Sequence, residues 1–97
     1  VRLSDTLAKE IGLRIRSRRE ELRLTREELA ENAELSFQFL ADVETGRSNM
    51  TTVTLYKLAR ALNLSCDYIV FGTGTPQDAS ELAEETLRNF VAVAKKK

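Results

Sequence analysis

Apolar residues recur at helical spacing along almost the whole chain. Leu3, Leu7, Ile11 and Ile15 fall four residues apart, which predicts one apolar stripe on a helix running to about Leu22. Thr25 opens the string Thr-Arg-Glu-Glu, a capping box whose hydroxyl and Glu28 satisfy free N–H groups at the start of a second helix. Leu29, Ala30 and Ala33 line the inner face of that helix. Ser36 is the next N-cap, opening a third helix with Leu40 and Val43 inward and Gly46 at its end. Thr51 or Thr52 caps a fourth, in which Leu55, Leu58, Ala59 and Leu62 recur at i, i+3, i+4 and i+7. Ser65 caps a short fifth helix through Ile69 and Phe71, closed by Gly72. The stretch from Gly72 to Pro76 predicts a linker or sharp turn. Asp78 and Glu81 then form a capping box before a last amphipathic helix over 78–94, with Ala83, Leu87, Phe90, Val91 and Ala94 on one face. No alternating strand pattern competes, and there is no internal repeat. The expected class is all-α, with a domain over 1–72, a linker or turn at 73–77, and a C-terminal helix and lysine tail over 78–97.

Composition narrows what such a bundle can do. Ninety-seven residues make one domain, and 42% hydrophobic with 31% charged residues suits a folded globular chain. The sequence has no histidine, which removes histidine general bases, histidine metal ligands and Ser-His or Cys-His nucleophile pairs. Its single cysteine, Cys66, falls in the first turn of the fifth helix and excludes an internal disulfide, consistent with a reducing cytoplasm. No apolar run approaches the roughly 20 residues of a membrane span. Nothing in this inventory supports an enzyme, and no cofactor, metal or small-molecule effector is expected. The chain opens at Val1 rather than methionine, so a cut terminus or a non-standard start is expected there.

Fifteen basic side chains balance fifteen acidic ones, which by itself counts against a nucleic-acid binder. The neutrality holds only in sum. Residues 1–26 carry a net charge of +4, whereas 27–47 carry −5. This predicts a basic zone and an acidic zone that the total conceals. Of the arginines at 14, 16, 18, 19 and 23, only Arg19 lies on the apolar stripe; the others read as a solvated helix face.

Two short helices joined by a tight turn therefore occupy 26–45. Ala30 on the inner face permits close approach, and the outer face of the second helix is left to Phe37, Gln38, Ala41, Asp42 and Thr45. A braced helix with a polar outer edge at its N-terminal end is what entry into a DNA major groove requires. Arg19 and Glu44 both fall on inner stripes, four residues after Ile15 and Leu40 respectively. A buried charge without a partner is expensive, so the two are expected to meet; the alternative is that each reaches separately to the solvated rim.

The ordered set Ile11-Gly12, Ile15-Arg16, Arg19, Leu22, Leu24-Thr25, Leu29-Ala30, Leu35-Ser36, Leu40, Val43-Glu44, Gly46, Leu55, Leu58-Ala59, Leu62, Ile69 and Gly72 resembles the XRE-type helix-turn-helix family, the Cro and phage-repressor class of DNA-binding domains. The resemblance covers about residues 11–72. It implies a compact five-helix domain and reinforces the Arg19–Glu44 pair. It also implies that Thr25 and Arg26 touch a phosphate at a helix N-terminus. Ser36 would cap the reading helix near a phosphate, and Phe37, Gln38 and Asp42 would take the base-reading positions. There Gln38 can bond adenine, Phe37 can press on a thymine methyl and Asp42 can accept from cytosine N4. Arg47, Ser48 and Asn49 resemble the family's second set of phosphate contacts. Glu34 stands where the family usually has a turn glycine, and Met50 replaces a common proline.

These features imply a sequence-specific transcriptional regulator, a repressor that binds double-stranded DNA as a homodimer at a palindromic operator, in the cytoplasm of a bacterium or its phage. The C-terminal helix is the candidate dimerisation element, the alternative being that it packs back on its own domain. A second function class stays open: a protein-interaction module on the same fold, such as an antitoxin or an adaptor, using Phe37, Phe39 and the acidic second helix. Phe37 is expected to be exposed and Phe39 to pack partly against the bundle.

Overall fold

The computed structural model describes residues 3–73, and within them all regular structure is helical. The elements are α1 (Leu3–Glu21), α2 (Arg26–Asn32), α3 (Phe37–Glu44), α4 (Thr52–Leu62) and α5 (Cys66–Phe71). The helix expected over 78–94, and its place as a separate C-terminal unit, lie outside the described residues. No helix among those described is long and apolar enough to cross a membrane.

Local chemistry sets the boundaries. Thr25, Ser36, Thr51 and Ser65 each sit at an N-cap in extended backbone conformation, and each hydroxyl oxygen accepts from the N–H three residues on. A cap of this kind contributes about 1 kcal/mol, a sizeable help to helices of only six to eight residues. At the other ends the chain turns through left-handed conformations. Gly46 (φ 76°) and Gly72 (φ 70°) do so freely; Arg23, Glu34 and Asn63 do so with side chains.

α1 packs against α3, α4 and α5, while α2 packs on α3 and α4 on α5. The core between them is Ile15, Leu29, Ala30, Ala33, Leu40, Val43, Leu58, Ala59, Leu62, Leu64 and Ile69. Ile11, Leu35, Phe39, Met50, Leu55 and Tyr68 close its edge. The helix-turn-helix and α4 follow the expected inner faces residue for residue.

Two expectations for α1 are corrected. Along its apolar stripe only Ile15 is fully buried and Ile11 is half-buried: Leu3 is 82% exposed, Leu22 lies on the surface, and Leu7 borders a groove of about 350 Å³ with Ile11, Met50, Leu55 and Val70. Period-four spacing fixes which residues share a helix face but not how far a neighbouring helix extends along it. The arginine series is also more than a solvated face. Arg14 donates to the carbonyls of Ile69 (2.9 Å) and Val70 (3.0 Å), and Arg18 donates to that of Leu62 (3.1 Å). These carbonyls end α5 and α4, where unpaired C=O groups and the negative helix end favour a cation. The long arginine stems cover apolar surface on the way.

Gly12 marks the closest approach of α1 to α3. A Cβ built there would lie 2.5 Å from the carbonyl oxygens of both Val43 and Glu44. Both obstacles are backbone, so neither can swing aside. Gly12→Ala is expected to lower stability by roughly 1–3 kcal/mol through overpacking, despite the gain of about 1 kcal/mol in helix propensity. A denaturant titration reads the difference directly; an unchanged or raised midpoint would show that the helices can separate at no loss.

Candidate nucleic-acid interface

The turn that sets the angle between α2 and α3 runs through Ala33, Glu34 and Leu35. Glu34 adopts φ 57°, and Leu35 donates its N–H to the Ala30 carbonyl at 2.8 Å. Glu34 thus takes the left-handed geometry a glycine would supply, at a steric cost of about 1–2 kcal/mol. Its side chain stays exposed, so the turn accommodates it without displacing the core. Ala30 and Ala33 are buried beneath the turn, where larger side chains would hold the two helices apart.

Beyond this hinge one buried carboxylate fixes α3. The Glu44 side chain is 0% exposed. Arg19 grips it through two bonds, Nε to Oε2 at 2.8 Å and Nη2 to Oε1 at 3.1 Å. Arg19 also donates from Nη1 to the Leu24 carbonyl at 3.0 Å, which ties in the loop before α2. The hydrogen bond to Glu44 raises the arginine's pKa and keeps it charged despite partial burial. The expected ion pair therefore forms, and it has a third member. Arg26 reaches the same Oε1 through Nε (3.3 Å) and Nη2 (3.2 Å), while its guanidinium lies 5.9 Å from the centre of the Phe37 ring. Sequence spacing alone gave no signal for this, because Arg26 occupies the first, outward turn of α2.

At the start of α2 the capping box is closed. Glu28 N–H donates to Thr25 Oγ1 at 3.1 Å, and Thr25 N–H donates to Glu28 Oε1 at 2.9 Å. These bonds, the backbone one foremost, hold the exposed Glu28 carboxyl below its ordinary pKa. The Thr25 N–H is thereby occupied, so an anion at this helix end would meet the Thr25 hydroxyl hydrogen and the N–H groups of Arg26 and Glu27, which precede the first i−4 carbonyl.

The outward face of α3 carries Phe37, 47% exposed, with Gln38 and Thr45 exposed and Ala41 and Asp42 half-buried. Gln38 Nε2 donates to Asp42 Oδ1 at 3.1 Å, one helical turn on. Thr45 Oγ1 donates back to the Ala41 carbonyl at 2.9 Å. Ser36 Oγ accepts from Phe39 N–H at 3.1 Å and keeps its own hydrogen for another acceptor. Past the helix, the N–H groups of Arg47 and Ser48 both donate to the Asp42 carbonyl (2.8 and 3.3 Å), so the loop folds back over the end of α3. Arg47 and Asn49 are exposed there, and Ser48 is half-buried. Arg26 thus spans α3 from the Phe37 ring in its first turn to Glu44 in its last, Gln38 and Asp42 lie along its outer face, and Arg47 to Asn49 follow its far end. Phe39 packs partly against the core.

The helix-turn-helix family profile matches residues 15–69, more than half the chain. The chain belongs to the helix-turn-helix family. Similar proteins agree: an immunity repressor of Bacillus phage phi105 is 43% identical over 60 residues, which cover 62% of this chain and 42% of the repressor. An uncharacterized helix-turn-helix transcriptional regulator of Sinorhizobium fredii is 41% identical over 59 residues, covering 61% and 77%. The chain therefore spans about two fifths of the phage repressor's length. Among solved structures, the restriction-modification controller protein C.AhdI from Aeromonas hydrophila superposes with a TM-score of 0.62 at 31% identity, over 64% of this chain and 94% of its own. The clp gene regulator ClgR of Corynebacterium glutamicum superposes with a TM-score of 0.64 at 25% identity, over 91% and 88%.

Within this helix-turn-helix domain the two arginines are unequal. Arg19 is the more buried and makes the shorter bonds, with side-chain exposure of 12% against 28% for Arg26. Arg19→Met is expected to destabilise by about 3 kcal/mol, since Glu44 is left buried with only the longer bonds from the more exposed Arg26. Arg26→Met is expected to cost about 1 kcal/mol. Urea unfolding of both variants tests the ranking; equal effects, or a reversed order, would identify Arg26 as the principal counter-ion.

Proposed function

We propose that this helix-turn-helix protein is a sequence-specific DNA-binding regulator of transcription, a repressor that binds a palindromic operator as a dimer. The observation that carries the reading is the outer face of α3. Its side chains can hydrogen-bond and press on bases, and the helix is braced from behind by a buried ion network that fixes its pose. In this reading α3 lies in the major groove with Phe37, Gln38 and Asp42 toward base edges. Phosphate groups lie at the start of α2 (Thr25, Arg26), at Ser36, and along Arg47, Ser48 and Asn49. The phage immunity repressor among its relatives supports a repressor-type role. Such a regulator would work in the cytoplasm without catalysing a reaction.

A single head of this size reads few base pairs. Two heads about one DNA turn apart (~34 Å) would read a palindrome, and residues 78–94 are the proposed dimerisation element. Gel filtration before and after removal of residues 77–97 tests this. The expected outcome is a dimer that becomes a monomer; a dimer that survives truncation would assign the interface elsewhere.

Selection of bound duplexes from a random pool tests the reading as a whole. A palindromic consensus should emerge, and Gln38→Ala should relax one base position per half-site by about 1–3 kcal/mol. Affinity should fall with added salt, the log–log slope approaching roughly −0.9 per phosphate neutralised. If no duplex is enriched over random DNA even at low salt, the alternative of a protein-interaction module takes over.

A further inference from the structure

Gln38 and Asp42 lie one turn apart on the outer face of α3, joined by a 3.1 Å bond from Nε2 to Oδ1. A carboxylate presents acceptors only, so it can hold the glutamine amide in one orientation, nitrogen toward Asp42 and oxygen away. We propose that Asp42 is a positioning residue that makes Gln38 select adenine over guanine. This rests on the proposed placement of α3 in the major groove.

A free glutamine amide offers two N–H donors and one carbonyl acceptor. Adenine displays an acceptor (N7) beside a donor (the N6 amino group), whereas guanine displays two acceptors (N7 and O6). An unrestrained glutamine can serve either base: carbonyl and one N–H for adenine, or both hydrogens of the amide nitrogen for guanine. In the observed arrangement Asp42 takes one of those hydrogens. What remains outward is one N–H beside Oε1, a donor next to an acceptor. That pair matches adenine and sets Oε1 against guanine O6.

The surroundings favour this role for Asp42 over direct base contact. Its backbone carbonyl is held by the N–H groups of Arg47 and Ser48 and by the Thr45 hydroxyl (2.8, 3.3 and 3.3 Å), which anchors the residue at the end of α3. Asp42 is half-buried, whereas Gln38, a turn nearer the N-terminus of the helix, is exposed. The bond also holds a side chain with three rotatable torsions before DNA arrives, so less freedom is lost on binding. The carboxylate's own effect on affinity runs the other way, because it faces phosphate charge. Asp42 therefore lowers attraction to DNA in general while sharpening the choice at one base.

The test is selection from a random duplex pool, followed by competition between adenine and guanine at the selected Gln38 position, for the full chain and its Asp42→Ala, Asp42→Asn and Asp42→Glu variants. Asp42→Ala is expected to reduce the adenine preference by roughly three- to tenfold, while binding to random DNA strengthens. Asp42→Asn has nearly the same shape but can donate as well as accept, so it no longer enforces one amide orientation; it is expected to lose preference too. Asp42→Glu keeps an acceptor-only partner within reach and is expected to restore it. If Ala and Asn variants bind random DNA more tightly yet keep the wild-type preference, Asp42 acts through charge alone and the proposal fails. A change confined to a neighbouring cytosine would overturn it in favour of direct base contact. Failure of the wild-type chain to enrich any sequence would instead overturn the DNA-binding reading itself, an outcome distinct from both.

Discussion

One carboxylate with no solvent exposure holds this domain in register. Glu44 ends α3, where the helix dipole already disfavours negative charge, and it lies against apolar neighbours from the core. Left alone it would be costly; with Arg19 from α1 and Arg26 from α2 it becomes the point at which three helices meet. A buried ion network of this kind adds little net stability compared with a well-packed apolar cluster. Its consequence is geometric. Aliphatic contacts tolerate sliding, whereas a bidentate guanidinium–carboxylate bond does not. The end of α3 is fixed further by Gly12, where the absence of a side chain lets the α1 backbone approach the Val43 and Glu44 carbonyls.

The same network determines what charge is left for a ligand. The +4 excess of the first 26 residues suggests a basic face, but those arginines are largely committed within the domain. Arg14 and Arg18 cap α5 and α4, Arg16 pairs with Glu20 at 2.8 Å, and Arg19 and Arg26 serve Glu44. Among the described residues around the end of α3, Arg47 is exposed in the loop past the helix and exposed Lys9 lies against Gly46. Part of the positive charge near α3 is thus held by an internal carboxylate rather than left as an open basic patch.

Most of the fold was legible because its rules are local. The starts of α2 to α5 each carry Ser or Thr at the cap, and Gly46 and Gly72 supply left-handed turns; the inner faces of α2 to α4 repeat at helical spacing. The Arg19–Glu44 pair was legible for a related reason, since both interrupt apolar stripes. What escaped depends on distance. Arg14 and Arg18 find carbonyls 55 and 44 residues away, and no local pattern announces that a long side chain will reach a helix end. Leu3, Leu7 and Leu22 share the stripe of Ile11 and Ile15, yet a stripe does not say where its cover stops. Arg26 in the Glu44 network required knowing how α2 crosses α3. The Gln38–Asp42 bond was within reach, since i, i+4 pairs face each other on a helix; the residues were instead weighed singly as base contacts.

If α3 reads DNA as proposed, these features favour discrimination over general attraction. With Arg19 and Arg26 held by Glu44 and the Asp42 carboxylate on α3, the proposed reading surface gains less from phosphate charge, the component that binds all sequences alike. Binding free energy must then come from matched contacts, and matched contacts need donors and acceptors held in position beforehand. The rigid pose of α3 supplies that at the level of the helix, and the Gln38–Asp42 bond supplies it at the level of one amide. On the proposed function, a single head built this way would bind weakly. Joining two heads converts the second encounter into an intramolecular one, which multiplies affinity only where both half-sites match. Under the proposed function, the arginines nearest α3 that could have met phosphate, Arg19 and Arg26, are instead the ones that hold the helix still.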